Sequence, residues 1–552
     1  MPDKPLIVQS DMTLLLDVHS PDAESARNDL IAFAELIKSP EHVHTFAITS
    51  ISLWNAATVG IGPEEVLERL IRWSRFSIPD NVAFFVKDIA GRFGLVVLRE
   101  VEEHASSYLL TIESERAERE ILARKHIKEM LTRCDRGYLV SIYNRGELKL
   151  QLIKLGYPVD DRVPLERGIP VPMNFKQLTG KGNSFFLRDY QKSAADSILG
   201  DGGPGSGYGV IVLPCGSGKT VVGMEIMRRL ATRTLILTTN VAAVHQWIGE
   251  LVDKLDLDQS HIGEYSGSKK EICPVTVCTY QVLTWRASKE DDFVHMSMLK
   301  EGKWGLIIYD EVHMLPAPVF KITAELQAVH RVGLTATLIR EDHREDEVFS
   351  LVGPKRFDIP WSQLESQGWI AEAQCVEIRV PLPRALEIPY ALGTKREKYR
   401  IASENPEKIP IVKQLIENHS GEYILVIGQY LDQLKEIADE IKAPLITGAT
   451  GNAKRDELYA AFRAKKERIL VVSKVANFAI DLPDASVAIQ VSGTFGSRQE
   501  EAQRLGRILR PKETESHFYS LVTRYSSEEE FAANRQKFLI EQGYSYHVEV
   551  WE

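Results

Sequence analysis

Short runs of β-branched and other apolar residues alternate along this chain with segments whose apolar residues recur at helical spacing. Residues 208–213 and 304–309 form two such runs, and residues 220–230 between them carry apolar side chains every three or four positions. Continuous apolar runs of this length are typical of strands buried on both faces of a parallel sheet. The same pattern recurs later, at residues 422–428, 468–472 and 485–491. The chain is therefore predicted to be an α/β protein with two parallel-sheet lobes.

The first 160 residues or so show a less regular pattern that predicts small mixed modules. Residues 23–38 have helical spacing, and residues 51–57 and 63–67 suit two short helices around a glycine turn, with a strand following at residues 91–98. Two helices and a strand in this order suit a winged-helix-like adaptor, although any small α+β module would share the pattern. We expect an N-terminal α+β module over residues 1–104.

A second module is expected over residues 105–160, with a strand at residues 137–142 and a helix at residues 145–155. The stretch at residues 161–182 begins rich in proline and charge, which is typical of a linker. The two lobes are expected over the rest of the chain, at residues 183–365 and 366–552.

A glycine-rich loop follows the first apolar run and precedes a predicted helix. Gly216 and Gly218 would let backbone N–H groups turn toward phosphate oxygens at the helix N-terminus. Lys219 would reach the β- and γ-phosphates of a nucleoside triphosphate, and the Thr220 hydroxyl would bind Mg²⁺. This strand–loop–helix context favours a phosphate-binding loop over a glycine turn that binds nothing. The predicted nucleotide-binding residues, with a leucine in place of the usual first glycine, are Leu213, Pro214, Cys215, Gly216, Ser217, Gly218, Lys219 and Thr220.

Two acidic residues follow the apolar run at residues 304–309. Asp310 and Glu311 should emerge at the carboxyl end of a core strand, the edge at which parallel sheets bind ligands. Asp310 is expected to hold Mg²⁺ and Glu311 to polarise the attacking water. A solvated Asp-Glu pair is common in isolation, but its position after a strand and downstream of the lysine loop favours catalysis.

An arginine cluster follows the run at residues 485–491. Gln503, Arg507 and Arg510 would share one face of a helix, with Arg504 beside them. Alone, this cluster suits a solvated basic helix, but the preceding strand puts it on the second lobe. An arginine supplied across a cleft would stabilise charge on the γ-phosphate in the transition state, an effect worth roughly 10³–10⁵ in rate.

Two shorter segments complete the set of candidate site residues. Thr335, Ala336 and Thr337 follow the acidic pair, and the small hydroxyl side chains there would form hydrogen bonds toward the metal site that respond to the state of the nucleotide. Gln191 precedes the phosphate loop, and its amide would read an adenine edge. Each segment alone is common in proteins, so the interpretation depends on the order and spacing of these segments along the chain.

Together these segments resemble the motifs of superfamily 2 helicases, and more narrowly those of the XPB-type DNA repair helicases. The likeness rests on the loop at residues 213–220, on the sequence from Gly333 to Asp342 and on the region from Ser473 to Arg507. It extends from near residue 160 onward. It implies two RecA-like lobes forming a helicase motor, driven by ATP along DNA with 3′-to-5′ polarity, in nucleotide excision repair.

The resemblance also assigns roles that spacing alone does not. It links Asp481 to the nucleotide, and strand separation to Arg340, Glu341 and Asp342. It implies a thumb-like insertion near residues 385–408, with a solvated basic helix as the alternative; its phosphate contacts would be Lys395, Arg396, Lys398 and Arg400. The module at residues 105–160 is similar to a damage-recognition domain, and a structural collar for the first lobe is an equal alternative.

Composition narrows the classes of protein to which this chain can belong. Its 552 residues include 67 lysines and arginines against 77 aspartates and glutamates, for a formal net charge of −10. The whole chain repels a polyanion, so DNA would bind at a local basic track, in a salt-dependent way. The five cysteines form no CxxC pair, and neither a leader nor a membrane-spanning run is evident. We expect a monomeric cytoplasmic protein that joins a prokaryotic nucleoid when on DNA.

The sequence favours an ATP- and Mg²⁺-dependent helicase acting on forked, single-stranded or damaged duplex DNA, and three alternatives stay open. One is a double-strand DNA translocase that separates no strands. Another is the motor subunit of a restriction system, although no nuclease or methyltransferase pattern is appended. The third is an ATP-gated DNA clamp that recruits partners. A structure-specific nuclease is the partner that the resemblance implies.

Overall fold

The computed structural model of the chain forms two compact units. The first contains residues 1–212 and 220–358, and the second contains residues 213–219 and 359–552. The structure describes every residue except 1–3, 39–41, 59, 102–106, 142–143, 164–167, 181, 201–205, 215, 284, 286–294, 296–301, 313–327, 337–351, 360–362, 365–366, 368, 370–372, 474–484, 494–515, 542–545 and 552.

An antiparallel sheet of four strands lies at the start of the first unit, in the order β1-β2-β4-β3. Its elements are β1 (Leu6–Val8), β2 (Thr13–Asp17), α1 (Ala23–Ile31), β3 (Glu35–Lys38), β4 (Val43–Ala47), α2 (Ser50–Thr58), α3 (Pro63–Trp73) and α4 (Asp80–Ala90). The predicted helices on either side of the glycine turn are confirmed as α2 and α3. The helix predicted over residues 23–38 is wrong in its second half, because β3 pairs there with β4, Leu36 opposite Phe46.

A second sheet of five strands follows, in the order β7-β8-β6-β5-β9. Its elements are β5 (Val96–Glu100), β6 (Ser107–Ile112), α5 (Glu115–Leu122), α6 (Lys125–Glu129), β7 (Leu131–Cys134), β8 (Gly137–Ser141), α7 (Arg145–Lys154) and β9 (Val159–Asp161). Because β5 pairs with β6, this sheet extends across the predicted module boundary at residue 104. On α7, Arg145 and Lys149 each contact the Asp161 carboxylate at 2.8 Å, so these two cations hold the module itself together.

The first lobe is a parallel sheet of seven strands in the order β12-β13-β11-β14-β15-β10-β16. Its strands are β10 (Tyr208–Val212), β11 (Thr234–Thr238), β12 (Ile262–Tyr265), β13 (Val275–Thr279), β14 (Leu306–Asp310), β15 (His330–Thr335) and β16 (Lys355–Asp358). Its helices are α8 (Asp189–Leu199), α9 (Lys219–Leu230), α10 (Val241–Lys254) and α11 (Tyr280–Leu283), with a 3₁₀ turn at Gln259–His261. Because β10, β15 and β14 are adjacent and parallel, their carboxyl ends share one edge of the sheet.

The second lobe repeats this architecture, with the strand order β19-β20-β18-β21-β22-β17-β23 and every pairing parallel. Its strands are β17 (Ala373–Val380), β18 (Ile424–Gly428), β19 (Leu445–Ile446), β20 (Ile469–Ser473), β21 (Val487–Gln490), β22 (Ser516–Thr523) and β23 (Tyr546–Val550). Its helices are α12 (Arg384–Leu392), α13 (Lys395–Ser403), α14 (Lys408–Asn418), α15 (Leu431–Ile441), α16 (Asn452–Arg463) and α17 (Ser527–Glu541).

The predicted fold class is confirmed: two parallel-sheet lobes follow smaller α+β modules. All five apolar runs that the sequence pattern singled out form strands of the two parallel sheets. Within the described part of the chain, none of the helices has the length and apolar character that crossing a membrane requires.

Candidate functional site

The loop after β10 has the backbone conformation that its glycines permit. Gly216 and Gly218 both adopt left-handed backbone angles, with φ of 80° and 83°. Residues with a Cβ adopt this region only with strain, whereas glycine does so freely. Between them, the buried Ser217 hydroxyl donates to the backbone oxygen of Pro214 at 2.6 Å, which fixes the turn from within.

The helix that follows the loop begins with a cation. Lys219 and Thr220 are the first two residues of α9 and are half-buried. The Nζ atom of Lys219 lies 3.5 Å from the backbone oxygen of Leu213, so the side chain folds back over the loop. A cation at a helix N-terminus is disfavoured by the helix dipole unless an anion binds there. The first turn of α9 therefore suits a phosphate group.

The acidic pair ends a strand of the same sheet. Asp310 is the last residue of β14, and its Oδ2 atom accepts a hydrogen bond of 2.9 Å from the indole N–H of Trp247. The Tyr280 hydroxyl donates to the backbone oxygen of Asp310 at 2.8 Å. Burial raises the pKa of Tyr280 well above its usual value, as does the negative charge of Asp310 nearby, so this hydroxyl remains a donor. The end of β14 is thus fixed through both side chain and backbone.

Glu311 has a strained backbone. Its φ of 50° lies in the left-handed region, where a residue with a Cβ pays about 1–2 kcal/mol. The next residue, Val312, is completely buried and anchors the turn in the core of the lobe. Strain of this kind collects at functional sites, because the surrounding fold must hold it in place. No feature of the sequence around Glu311 indicates this conformation.

A helical glycine brings α9 close to Trp247. A Cβ placed on Gly223 of α9 would come within 2.7 Å of the Trp247 ring and 3.5 Å of Ile308 on β14. Glycine in a helix interior is less favourable than alanine by about 1 kcal/mol, so close packing is the physical reason for it here. Neither residue belongs to a predicted site motif; the signal in the sequence was a glycine inside an otherwise regular helical pattern.

The small residues after the acidic pair lie on the strand between β10 and β14. Thr335 ends β15 and is completely buried, and Ala336 is buried beside it. Gly333 earlier in this strand packs against Val312, since an added Cβ would lie 3.0 Å from Cγ1 of that residue. Contacts within this edge therefore connect β15 to the turn that carries Glu311.

Gln191 has a structural role that its position in the sequence did not indicate. It lies in the first turn of α8 and is buried, and its Oε1 atom accepts a hydrogen bond of 3.0 Å from the backbone N–H of Arg188. This is a capping interaction that satisfies a backbone donor at the helix start. Its predicted contact with adenine stays a prediction.

The segment predicted to be a thumb-like insertion contains two helices, α12 and α13. Lys395 and Arg396 are exposed on the first turn of α13, where the helix dipole disfavours cations, so an anionic ligand would stabilise them there. Lys398 lies over the ring of Tyr390, 5.9 Å from its centroid. The Arg400 guanidinium is engaged by Glu404 at 2.6 Å and by a second carboxylate at 3.2 Å, that of Asp432.

Family models match three parts of the chain. The model described as ERCC3/RAD25/XPB C-terminal helicase matches residues 364–550, and the one described as type III restriction enzyme, res subunit, matches residues 184–340. A model described as helicase conserved C-terminal domain matches residues 6–134. Those residues belong to the two smaller sheets and not to a parallel-sheet lobe.

Similarity over the whole chain decides the family. The chain is 49% identical over 553 residues to a Mycobacterium tuberculosis protein named DNA 3′-5′ helicase XPB, covering 99% of this chain and 98% of that protein. The chain belongs to the XPB family of DNA helicases. Its XPB relative in Kineococcus radiotolerans is 47% identical, over 99% of this chain and 97% of the relative. A Danio rerio XPB, named a general transcription and DNA repair factor IIH helicase/translocase subunit, is 30% identical over 99% of this chain and 79% of its own length.

Membership of the XPB family confirms the resemblance that the motif series indicated. Within the first sheet, β10, which the glycine-rich loop follows, and β14, which ends at Asp310, are both adjacent to β15 and parallel to it. Several predicted site residues of this XPB-family protein lie outside the described residues: Cys215, Thr337, Arg340, Glu341, Asp342, Asp481, Gln503, Arg504, Arg507 and Arg510. Their roles stay predictions.

Proposed function

We propose that this protein is an ATP-dependent DNA helicase of 3′-to-5′ polarity that opens duplex DNA during nucleotide excision repair. The XPB relatives, which match over nearly their whole length, support the helicase activity and its polarity. The observation that carries the proposal is the shared edge of the first sheet. There the glycine-rich loop leaves β10, and the Asp310–Glu311 pair leaves β14.

The residues at this edge can bind and position the triphosphate. Backbone N–H groups at Gly216 and Gly218 turn toward the β-phosphate, and Lys219 neutralises the β- and γ-phosphates. The Thr220 hydroxyl and the Asp310 carboxylate are oxygen ligands of the kind that Mg²⁺ prefers, so these residues fit the ion. A bound Mg²⁺ would offset charge that develops on the transferred phosphoryl group.

Glu311 performs the proton chemistry in this account. Its carboxylate orients the attacking water and accepts a proton as the water attacks the γ-phosphorus. Gln503, Arg507 and Arg510 of the second lobe supply hydrogen bonds and positive charge to the γ-phosphate in the transition state. Nucleotide contacts by Gln191 and Asp481 complete the proposed ATP site.

DNA is contacted by a local basic surface, because the chain as a whole is acidic. Lys395 and Arg396 bind backbone phosphates in this proposal, with Lys398 and Arg400 supporting them. Arg340, Glu341 and Asp342 act in strand separation. A structure-specific nuclease partner, a monomeric state and a location at the nucleoid of a prokaryotic cytoplasm complete the proposal.

A DNA translocase that opens no strands is the second candidate. One relative is named a helicase/translocase subunit, so both activities are attached to a protein of this family. The two candidates share the ATP site and differ only in the fate of the duplex. Strand separation on a forked substrate therefore distinguishes them.

ATP hydrolysis with and without single-stranded and forked DNA tests the proposal. Wild type should be strongly stimulated by DNA, and Glu311→Gln should lose hydrolysis while still binding nucleotide. Glu457→Gln, a change at an exposed carboxylate of α16, is the matched control and should behave as wild type. A rate of ATP hydrolysis that is the same with and without every DNA tested would contradict the proposal and favour a recruitment platform.

A further inference from the structure

A lysine is completely buried at the carboxyl end of the second parallel sheet. Lys408, the first residue of α14, has no exposed surface. Its Nζ atom donates to Oε2 of Glu528 at 2.8 Å, to the backbone oxygen of Val491 at 2.9 Å and to that of Ser403 at 3.3 Å. An ammonium group has three N–H donors, and each has an acceptor here. A charge at this depth is tolerated only when it is paired in this way.

The acid partner is held just as firmly. Glu528 lies in the first turn of α17, and its carboxylate accepts hydrogen bonds from the backbone N–H of Thr523 at 2.9 Å and from the Ser403 hydroxyl at 3.0 Å. Buried ion pairs contribute little net stability, because desolvation opposes the attraction between the charges. The pair instead holds the chain segments that it joins in fixed positions relative to one another.

Those segments belong to different elements. Ser403 ends α13, Val491 follows β21, and Thr523 ends β22. A second connection runs in parallel: Tyr399 of α13 is buried, and its hydroxyl donates to the backbone oxygen of Gly493 at 2.8 Å. Two connections therefore hold α13 to the chain just after β21. Tyr399 makes one of them directly, and Ser403 makes the other through Lys408.

One end of this connection carries proposed DNA contacts, and the other precedes the proposed catalytic residues in the sequence. Lys395 and Arg396 lie one turn before Tyr399 on α13, and Gly493 precedes Gln503 by ten residues. We propose that Tyr399 and Lys408 are positioning residues that couple DNA contact at α13 to the position of residues 491–493, which precede Gln503, Arg507 and Arg510 in the sequence. This inference rests on the proposed function.

The substitution Tyr399→Phe tests the coupling with the loss of a single oxygen atom. The ring keeps its edge contact with Phe531, at 5.3 Å between centroids, so the packing survives. Tyr390→Phe is the matched control. It removes a hydroxyl that accepts a hydrogen bond of 2.9 Å from the backbone N–H of Ser527. This bond links α12 to the lobe without involving residues 491–493. ATP hydrolysis is measured against DNA concentration, together with the unfolding temperature.

Tyr399→Phe should lower the DNA-stimulated plateau of ATP hydrolysis by about threefold to tenfold, the effect of one lost hydrogen bond. The DNA-free rate and the DNA concentration at half-stimulation should not change, and Tyr390→Phe should match wild type. Lys395→Ala/Arg396→Ala should instead raise the half-stimulating DNA concentration. A lower plateau at an unchanged half-stimulating DNA concentration indicates a positioning role. A higher half-stimulating concentration indicates a role in DNA binding, and the unfolding temperature detects a simple loss of stability.

An unchanged plateau in Tyr399→Phe would overturn the inference while leaving the helicase proposal intact. An equal fall in both tyrosine variants, matched by equal losses in unfolding temperature, would also overturn it, since a general loss of stability would explain both. If wild-type hydrolysis does not respond to DNA at all, the proposed function fails and this inference fails with it.

Discussion

The indole N–H of Trp247 donates a hydrogen bond of 2.9 Å to Oδ2 of Asp310. Trp247 lies on α10 and is almost completely buried, and the ring packs beneath α9 at Gly223. A donor held this rigidly fixes the rotamer of the carboxylate that it contacts. The orientation of the predicted metal ligand is thus set by the protein and does not depend on the metal.

Removing this donor should weaken the response to Mg²⁺. Trp247→Phe keeps an aromatic ring but has no N–H, so Asp310 can rotate. Loss of a partner that orients a metal ligand typically costs 10- to 100-fold in metal affinity, and we expect the half-saturating Mg²⁺ concentration to rise by about tenfold. The measurement is Mg²⁺-dependent binding of a fluorescent ATP analogue, alongside hydrolysis.

Trp304→Phe is the control for this prediction. Trp304 is also buried but lies just before β14, at the opposite end of the strand from Asp310. It should leave the Mg²⁺ dependence unchanged. Equal Mg²⁺ curves for Trp247→Phe and wild type would show that the hydrogen bond does not orient the metal ligand.

Gly223→Ala should destabilise the first lobe even though alanine favours helices. The added methyl group would approach the Trp247 ring to 2.7 Å, and overpacking of this kind costs about 1–3 kcal/mol. Gly249→Ala on the exposed face of α10 meets no atom within 4 Å and should stabilise by up to about 1 kcal/mol. Urea unfolding of the two variants checks the opposite signs. A stabilised Gly223→Ala would contradict the packing argument.

The left-handed backbone at Glu311 predicts an unusual order of stability. Alanine at this position keeps the strain of a Cβ at a φ of 50°, whereas glycine relieves it. Glu311→Gly should therefore have a free energy of unfolding about 1 kcal/mol higher than Glu311→Ala, while both lose ATP hydrolysis. Thermal or denaturant unfolding compares them directly. The reverse order would mean that the turn is relaxed in solution.

His44 should make the first unit sensitive to mild acid. Burial, followed by the nearby positive charge of Arg27, lowers the pKa of His44 to about 4 from an ordinary 6.5, although Asp358 of β16 acts in the opposite direction. The unfolded chain then binds a proton more readily than the folded chain. Stability from this group is complete above pH 6.5 and is lost as the pH falls from there toward 4.

His44→Gln should reduce this acid sensitivity. We expect the free energy of unfolding of wild type to fall by about 1–2 kcal/mol more than that of the variant between pH 7 and pH 4.5, allowing for screening by solvent. His126→Gln, a change on the surface helix α6, serves as the control. Parallel pH profiles for wild type and His44→Gln would refute the assignment.

The sequence pattern predicted the parallel sheets and the glycine turn after β10 because those features are local. Apolar runs mark buried strands, and the glycines after β10 stand where the backbone must adopt a positive φ. The helix predicted over residues 23–38 failed in its second half because pairing with β4 outweighed helical spacing. Local propensity is a weak guide wherever a strand partner is available.

Long-range contacts around the site lay beyond prediction from sequence. Trp247 and Asp310 are 63 residues apart, and Lys408 and Glu528 are 120 residues apart. Neither pair belongs to a short motif with fixed spacing, so only the folded chain reveals them. The positive φ of Glu311 was equally hidden, because glutamate carries no preference for that conformation.

Strand separation on tailed duplexes tests the central claim most directly. With ATP and Mg²⁺, wild type should release a strand from a duplex with a 3′ tail and not from one with a 5′ tail, and Lys219→Ala should release neither. Hydrolysis stimulated by DNA without any strand release would contradict the helicase account and identify a translocase.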